Sequence, residues 1–165
     1  MKMNHAPSPS HDAHAMNEHP YRSLLIMAGL SFLSMYILMY AMVDVIGNVY
    51  PSLNQFYMAG LMTAPMVVIE LALMRAMYRN RTWNALILGA SVALGLIFFL
   101  LIRQQAAISD KEFLRSMIPH HAGAILMCNQ ASLHEPQLQE LCRNIVSGQQ
   151  AEIDLMKAEL AELGR

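Results

Sequence analysis

The sequence predicts an all-α protein in which three transmembrane helices are followed by an extracytoplasmic antiparallel helical hairpin. Three observations predict it. Of the 165 residues, 55% are hydrophobic and only 14% charged, against about a quarter charged in ordinary soluble domains. Three long apolar runs occupy most of residues 24–102, each long enough to cross about 30 Å of hydrocarbon. From Ser109 onward, apolar residues recur at helical spacing among charged ones, the pattern of amphipathic helices. Lys and Arg total 11 against 12 for Asp and Glu, so no basic field is present to hold nucleic acid.

Residues 1–22 form a His- and Met-rich tail. Its first twenty positions hold three Pro, four His and three Met, with no apolar period that could build a core, so disorder is expected. The apolar segment behind it is too long for the core of a cleavable signal peptide. The first membrane helix is predicted over Leu24–Val43, which carries no formal charge, the second over Phe56–Met77, interrupted by Glu70, and the third over Ala85–Ile102. Together they define a transmembrane region, 23–103. Tyr21, Tyr50, Tyr57, Tyr78 and Trp83 fall near the predicted ends, where amphipathic rings favour the interface. Gly89, Ala93 and Gly95 suggest close helix contact in the third helix. Arg75, Arg79 and Arg81 lie at the second loop, while residues 44–55 hold no Lys or Arg. That asymmetry predicts a cytoplasmic N-terminus and second loop, with residues 108–165 periplasmic or extracellular.

In the hairpin, Ser109 or Asp110 caps a helix with Glu112 in its first turn, and Leu133–Pro136 breaks it. Pro136 suits the start of a second helix that reaches Leu163 before Gly164. Its expected apolar face is Leu138, Leu141, Ile145, Met156, Leu160 and Leu163. On a helical wheel, Phe113, Met117, His121, Ala124 and Cys128 share one band of the first helix, with His120 and Met127 beside it. Gln149, Glu152 and Met156 fall in the apolar face of the second. Burying Gln149 and Glu152 without partners would cost about 1 to 3 kcal/mol each, so a ligand or a hydrogen-bond network is expected there.

A turn centred near residue 135 sets His121 opposite Gln149, and Met117 close to Glu152 and Met156. Thioether with imidazole suits copper, Cu(I) above all, and imidazole with carboxylate also accepts Zn(II) or Cu(II). A lone His or Met on an apolar face is ordinarily a packed core residue. The cluster is what points to metal: Met117, His120, His121 and Met127 on one helix, and Gln149, Glu152 and Met156 on the other. Cys128 and Cys142 also face each other across the turn. They form a disulfide if the helices pinch there, or two soft ligands, or two small buried residues.

The segment FLRSMIPHHAGAILM, Phe113–Met127, is followed by Ile145, Gln149, Glu152, Ile153 and Met156 in the pattern I-x3-Q-x2-E-I-x2-M. These residues resemble the bacterial domain-of-unknown-function family 305, which includes CopM-type periplasmic copper-binding proteins and is similar to ferritin-like bundles. The resemblance covers about Asp110–Leu160. It implies copper or silver binding through Met117, His120, His121 and Met127, with Met156 on the facing helix, in a hairpin equal to half of a ferritin-like four-helix bundle. Soluble members often carry two such hairpins, so this chain would complete its core by dimerisation or by packing on the membrane helices. Cys128 stands where the family often has alanine.

The function expected is that of a bacterial inner-membrane copper-binding protein for metal tolerance, sequestration or delivery. Cu(I) is its metal, Ag(I) a mimic and Zn(II) a further candidate. The bilayer, a second copy and other copper-handling proteins are the expected partners. No Ser/His/Asp arrangement, phosphate loop or His-Glu-x-x-His sequence is present, which speaks against hydrolase or nucleotide chemistry, and an enzyme is not expected. The alternatives are a ferritin-like metal-redox enzyme and a structural membrane subunit without metal. A di-iron site would want several Glu and Glu-x-x-His pairs, whereas no Glu stands three residues before His120 or His121.

The membrane helices also carry methionines at near-helical spacing: Met27, Met35, Met39 and Met42 in the first, and Met58, Met62, Met66, Met74 and Met77 in the second, with Glu70 among them. One reading is a thioether path passing Cu(I) across the bilayer with Glu70 as a way-station. The other is ordinary packing, with Glu70 protonated or paired with Asn84 or Ser91.

Overall fold

Apolar length decides the first three elements. In the computed structural model, which describes residues 20–164, α1 spans Pro20–Leu38, α2 Leu53–Leu73 and α3 Arg81–Gln104. The expected tail lies almost wholly outside the described residues. The side chains of Ser52 and Asn80 cap α2 and α3 by accepting the Gln55 and Trp83 backbone N–H groups, which otherwise have no partner inside the helix. α1 tightens into a 3-10 turn over Met39–Met42. Pro20–Met42, α2 and α3 are each long and apolar enough to cross a membrane. Their outer residues are bare, with Leu25 74% and Leu73 77% exposed, a surface compatible with lipid contact.

α2 packs against both neighbours. Leu24 of α1 meets Val67 and Leu71 of α2 together with Tyr78. Toward α3, a Cβ on Gly60 would run into the Phe98 ring, and one on Gly95 would lie 3.2 Å from Ala64 Cβ. Small residues thus bring the two helices together, but Gly89, expected to take part, faces open space. At the Tyr21 end, the Tyr21 hydroxyl donates to Asn84 Oδ1 at 2.8 Å, and Asn84 Nδ2 donates to the Tyr78 carbonyl at 2.8 Å. Glu70 pairs with neither Asn84 nor Ser91 but accepts from the Tyr78 hydroxyl at 3.5 Å. Burial, and then the Glu70 carboxylate, push the Tyr78 pKa above its ordinary value. α2 ends at Leu73 rather than Met77, because Met74 leaves the helical conformation and residues 74–77 form a turn.

Two further helices, α4 at Asp110–Gln130 and α5 at Pro136–Glu162, complete the described regular structure. The link from α3 turns sharply, with Gln105 and Ala107 at φ 48° and 57°. Ser109 caps α4 by accepting the Glu112 N–H. Ile118, Ala122 and Ile125 of α4 pack on Ile153 and Met156 of α5, flanked by Leu114, Val146 and Leu160. The buried stripe of α5 is therefore narrower than its apolar face, since one partner helix covers only one seam. Leu138, Leu141 and Leu163, expected inside, remain 45%, 53% and 51% exposed.

α4 is also fastened to the apolar helices. The Leu53 backbone N–H donates to Glu112 Oε2 at 2.9 Å, putting a carboxylate at the N-terminus of α2, where the helix dipole favours it. Asn54 Nδ2 donates to Gln105 Oε1 at 3.0 Å and to Ser116 Oγ at 3.3 Å. The Tyr57 hydroxyl donates to the Ala106 carbonyl at 3.1 Å. Val43 and Tyr50, from the segment joining α1 and α2, pack against the core of the α4–α5 pair.

Candidate functional site

α4 presents two faces, and each meets a different partner. The face bearing Ile118 and Ile125 is turned to α5. The face bearing Met117, His120 and Met127 borders a cleft of about 460 Å³, closed on its other side by Met39, Met42 and Met58. Asn54, Gln55 and Ser116 add polar atoms to its wall. Gly123 lets α4 approach, since a Cβ there would stand 3.3 Å from the Met42 carbonyl oxygen.

The donors of this cleft are soft. Five thioethers and one imidazole line it, with no carboxylate among the lining residues, a set suited to Cu(I) or Ag(I) rather than to a hard cation. His120 is exposed and Met127 is 55% exposed, so an ion could enter from outside. Gln55 Oε1 is buried without a hydrogen-bond partner, and such an orphaned acceptor costs about 1 to 3 kcal/mol until a donor or cation reaches it. Among the described residues, no three His, Cys, Asp or Glu side chains converge as a ligand set, so a metal site built from these residues would have to draw on methionines.

The remaining expected ligands lie on the α5 side. The His121 side chain is 12% exposed, and its Nδ1 stands 2.9 Å from Glu152 Oε2. That approach lacks hydrogen-bond alignment and leaves the buried nitrogen unsatisfied. Glu152 does not sit in the apolar face as expected, its side chain being 57% exposed. Gln149 is half-buried, and Met156 is 8% exposed within the core. The structure thus brings Met117, His120 and Met127 to one cleft, with Met117 also packed against the core that holds Ile153 and Met156, while His121 meets Glu152 on the α5 side.

Cys128 and Cys142 are joined in a disulfide with their Cα atoms 5.2 Å apart. The helices do pinch at the turn, and neither sulfur is left as a free thiolate ligand. The pair borders a separate cavity of about 410 Å³ with Asn129 and Arg143. The methionines of α1 and α2 do not all share one groove. Met62 lines a groove beside α3, and Met66 lines one beside α1 with Met27 and Met35. Each four-residue step on a helix turns about 40° past a full turn, so the stripe winds away from the cleft. Met39, Met42 and Met58 are the cleft residues that wheel geometry on α4 and α5 did not reveal. The available signal was their position at the helix ends flanking residues 43–52, the end on which α4 lands.

The family described as domain of unknown function, DUF305, matches residues 100–160. The Uncharacterized protein L153 of Acanthamoeba polyphaga mimivirus is 34% identical over 142 residues, covering 84% of this chain and 91% of that protein. The chain belongs to the DUF305 family. In this DUF305 protein the family match begins in the last turn of α3 and takes in α4 and nearly all of α5. Similarity over 84% of the chain necessarily includes most of residues 20–104, so the viral relative resembles its apolar helices as well. No solved structure matches the DUF305 chain.

Proposed function

We propose that this protein is a membrane-anchored Cu(I)- and Ag(I)-binding protein for metal tolerance, sequestration or delivery. The observation that carries the reading is the facing of Met117, Met127 and His120 with further thioethers across one cleft. Thioether sulfur is a poor ligand for hard cations and a good one for Cu(I). Exposed His120 and Met127 receive the ion, and half-buried Met117 holds it deeper. Neither capture nor release requires turnover.

In this reading α1, α2 and α3 cross a bacterial plasma membrane. The arginines at positions 75, 79 and 81 lie at the end away from α4, which puts that end in the cytoplasm and the α4–α5 pair outside. α4 and α5 form an antiparallel hairpin, half of a ferritin-like bundle, and the exposed Leu138, Leu141 and Leu163 are where a second copy completes it.

The test is metal retention by the full chain, purified without a His-tag and offered Cu(I), Ag(I), Zn(II) or Fe(II). Retained Cu(I) or Ag(I) is expected, and it should be lost in the Met117→Ala/His120→Ala/Met127→Ala variant. Wild type that retains neither ion, or a triple variant that retains as much as wild type, overturns the reading. Iron-dependent oxygen consumption would favour a ferritin-like redox enzyme instead.

A further inference from the structure

Met39 and Met42 close α1, and Met58 lies in the second turn of α2, yet all three line the same cleft as Met117, Met127 and His120. We infer that the cleft is a single soft-metal site shared between the membrane helices and α4, with thioethers from both sides ligating one Cu(I) ion. This deepens the copper-binding reading and rests on it.

The donor inventory carries the inference. α4 brings two thioethers and one imidazole to the cleft, and the helix ends opposite bring three more thioethers. Methionine has three rotatable side-chain bonds and a polarizable sulfur, so thioethers on facing walls can reorient toward one ion. The walls are held in register near the site. Gly123 abuts the Met42 backbone, and Asn54 donates to Ser116 Oγ at 3.3 Å. A bound ion then bridges two parts of the chain, so it stabilises the docking of α4 on α1 and α2 by linkage. Met62 and Met66, which line other grooves, stand outside the site and serve as controls.

X-ray absorption on the full chain in lipid nanodiscs, loaded with one equivalent of Cu(I), counts the sulfur atoms around the metal. Only two α4 thioethers line the cleft, so three or more sulfur neighbours are expected, and two or fewer overturn the shared site. In parallel, Ag(I) is titrated into variants with methionine replaced by leucine, a swap that keeps volume and apolarity. Met39→Leu/Met42→Leu/Met58→Leu should weaken Ag(I) binding roughly tenfold or more, while Met62→Leu/Met66→Leu should stay within about twofold of wild type. If the first variant binds like wild type while Met117→Leu/Met127→Leu does not, the shared site is overturned and the copper reading stands. Absence of Ag(I) binding by wild type overturns both.

Discussion

Gly123 on α4 faces the Met42 carbonyl so closely that a Cβ added to the glycine would stand 3.3 Å from that oxygen. The contact fixes the distance between α4 and the end of α1, and with it the width of the methionine cleft. The oxygen belongs to backbone held in a 3-10 turn, so it cannot swing aside as a side chain would.

Gly123→Leu is therefore expected to push α4 away from Met42 and weaken Ag(I) binding roughly tenfold or more. Gly148→Ala, at an open position on α5, should leave metal binding unchanged and stabilise α5 by about 1 kcal/mol. Isothermal titration with Ag(I) and thermal unfolding of both variants check this. Equal affinity in Gly123→Leu and wild type would show that the contact does not shape the site.

Glu112 ties the two halves of the chain by accepting the Leu53 N–H at 2.9 Å and pairing with Arg115 at 3.2 Å. Glu112→Ala removes a helix cap and should cost about 1 to 2 kcal/mol. Hydrogen exchange at the Leu53 amide should speed up in Glu112→Ala, and less so in Glu112→Gln, which keeps an acceptor. An unchanged rate in the alanine variant would mean that the bond contributes nothing.

Ile118 and Ile153 are the largest fully buried side chains among the described residues, and both belong to the α4–α5 core. Truncating either to alanine should destabilise the helix pair by about 2 to 5 kcal/mol through lost burial and the cavity left behind. Because they share one core, the double variant should fall short of the sum of the single effects. Limited proteolysis of residues 131–135 reports the loosening.

Cys128 and Cys142 close a loop with a sequence separation of 14, and losing such a cross-link costs about 3 kcal/mol on chain-entropy grounds. Cys128→Ser/Cys142→Ser should lower the unfolding temperature of the helix pair while Ag(I) stoichiometry stays as in wild type, because neither sulfur lines the methionine cleft. A drop of one metal per chain in the folded variant would make the cysteines ligands after all.

Tyr78 is 4% exposed, and its pKa is raised from the ordinary 10.0 by burial and by Glu70. A folded-state pKa above the unfolded value means that stability is fully present below pH 10 and is lost as pH rises beyond it. Thermal unfolding from about pH 8 to 11 should show that alkaline decline in wild type. Tyr78→Phe, which cannot ionise there, should be less stable at neutral pH for want of the Glu70 contact, but flatter above pH 10.

Local chemistry made much of the chain legible. Apolar length marked the three apolar helices, Ser109 with Glu112 marked the start of α4, and Pro136 marked the start of α5, since spans, caps and first-turn prolines depend on neighbouring residues alone. The Met and His residues of α4 were equally visible as candidate metal donors. Their grouping was legible only in part: Met117 does pack on the core holding Ile153 and Met156, and His121 does meet Glu152. A helical wheel says which residues share a direction but not what stands opposite, so Glu152 was expected inside and lies outside, while Met39, Met42 and Met58 were assigned to membrane stripes. The sequence by itself determined the helices and the soft donor chemistry they carry. Only the tertiary structure decided which donors meet, because that depends on how α4 lands between α5 and the ends of α1 and α2, where Gly123, Glu112 and the narrow α5 seam set its position through contacts between residues far apart in the chain.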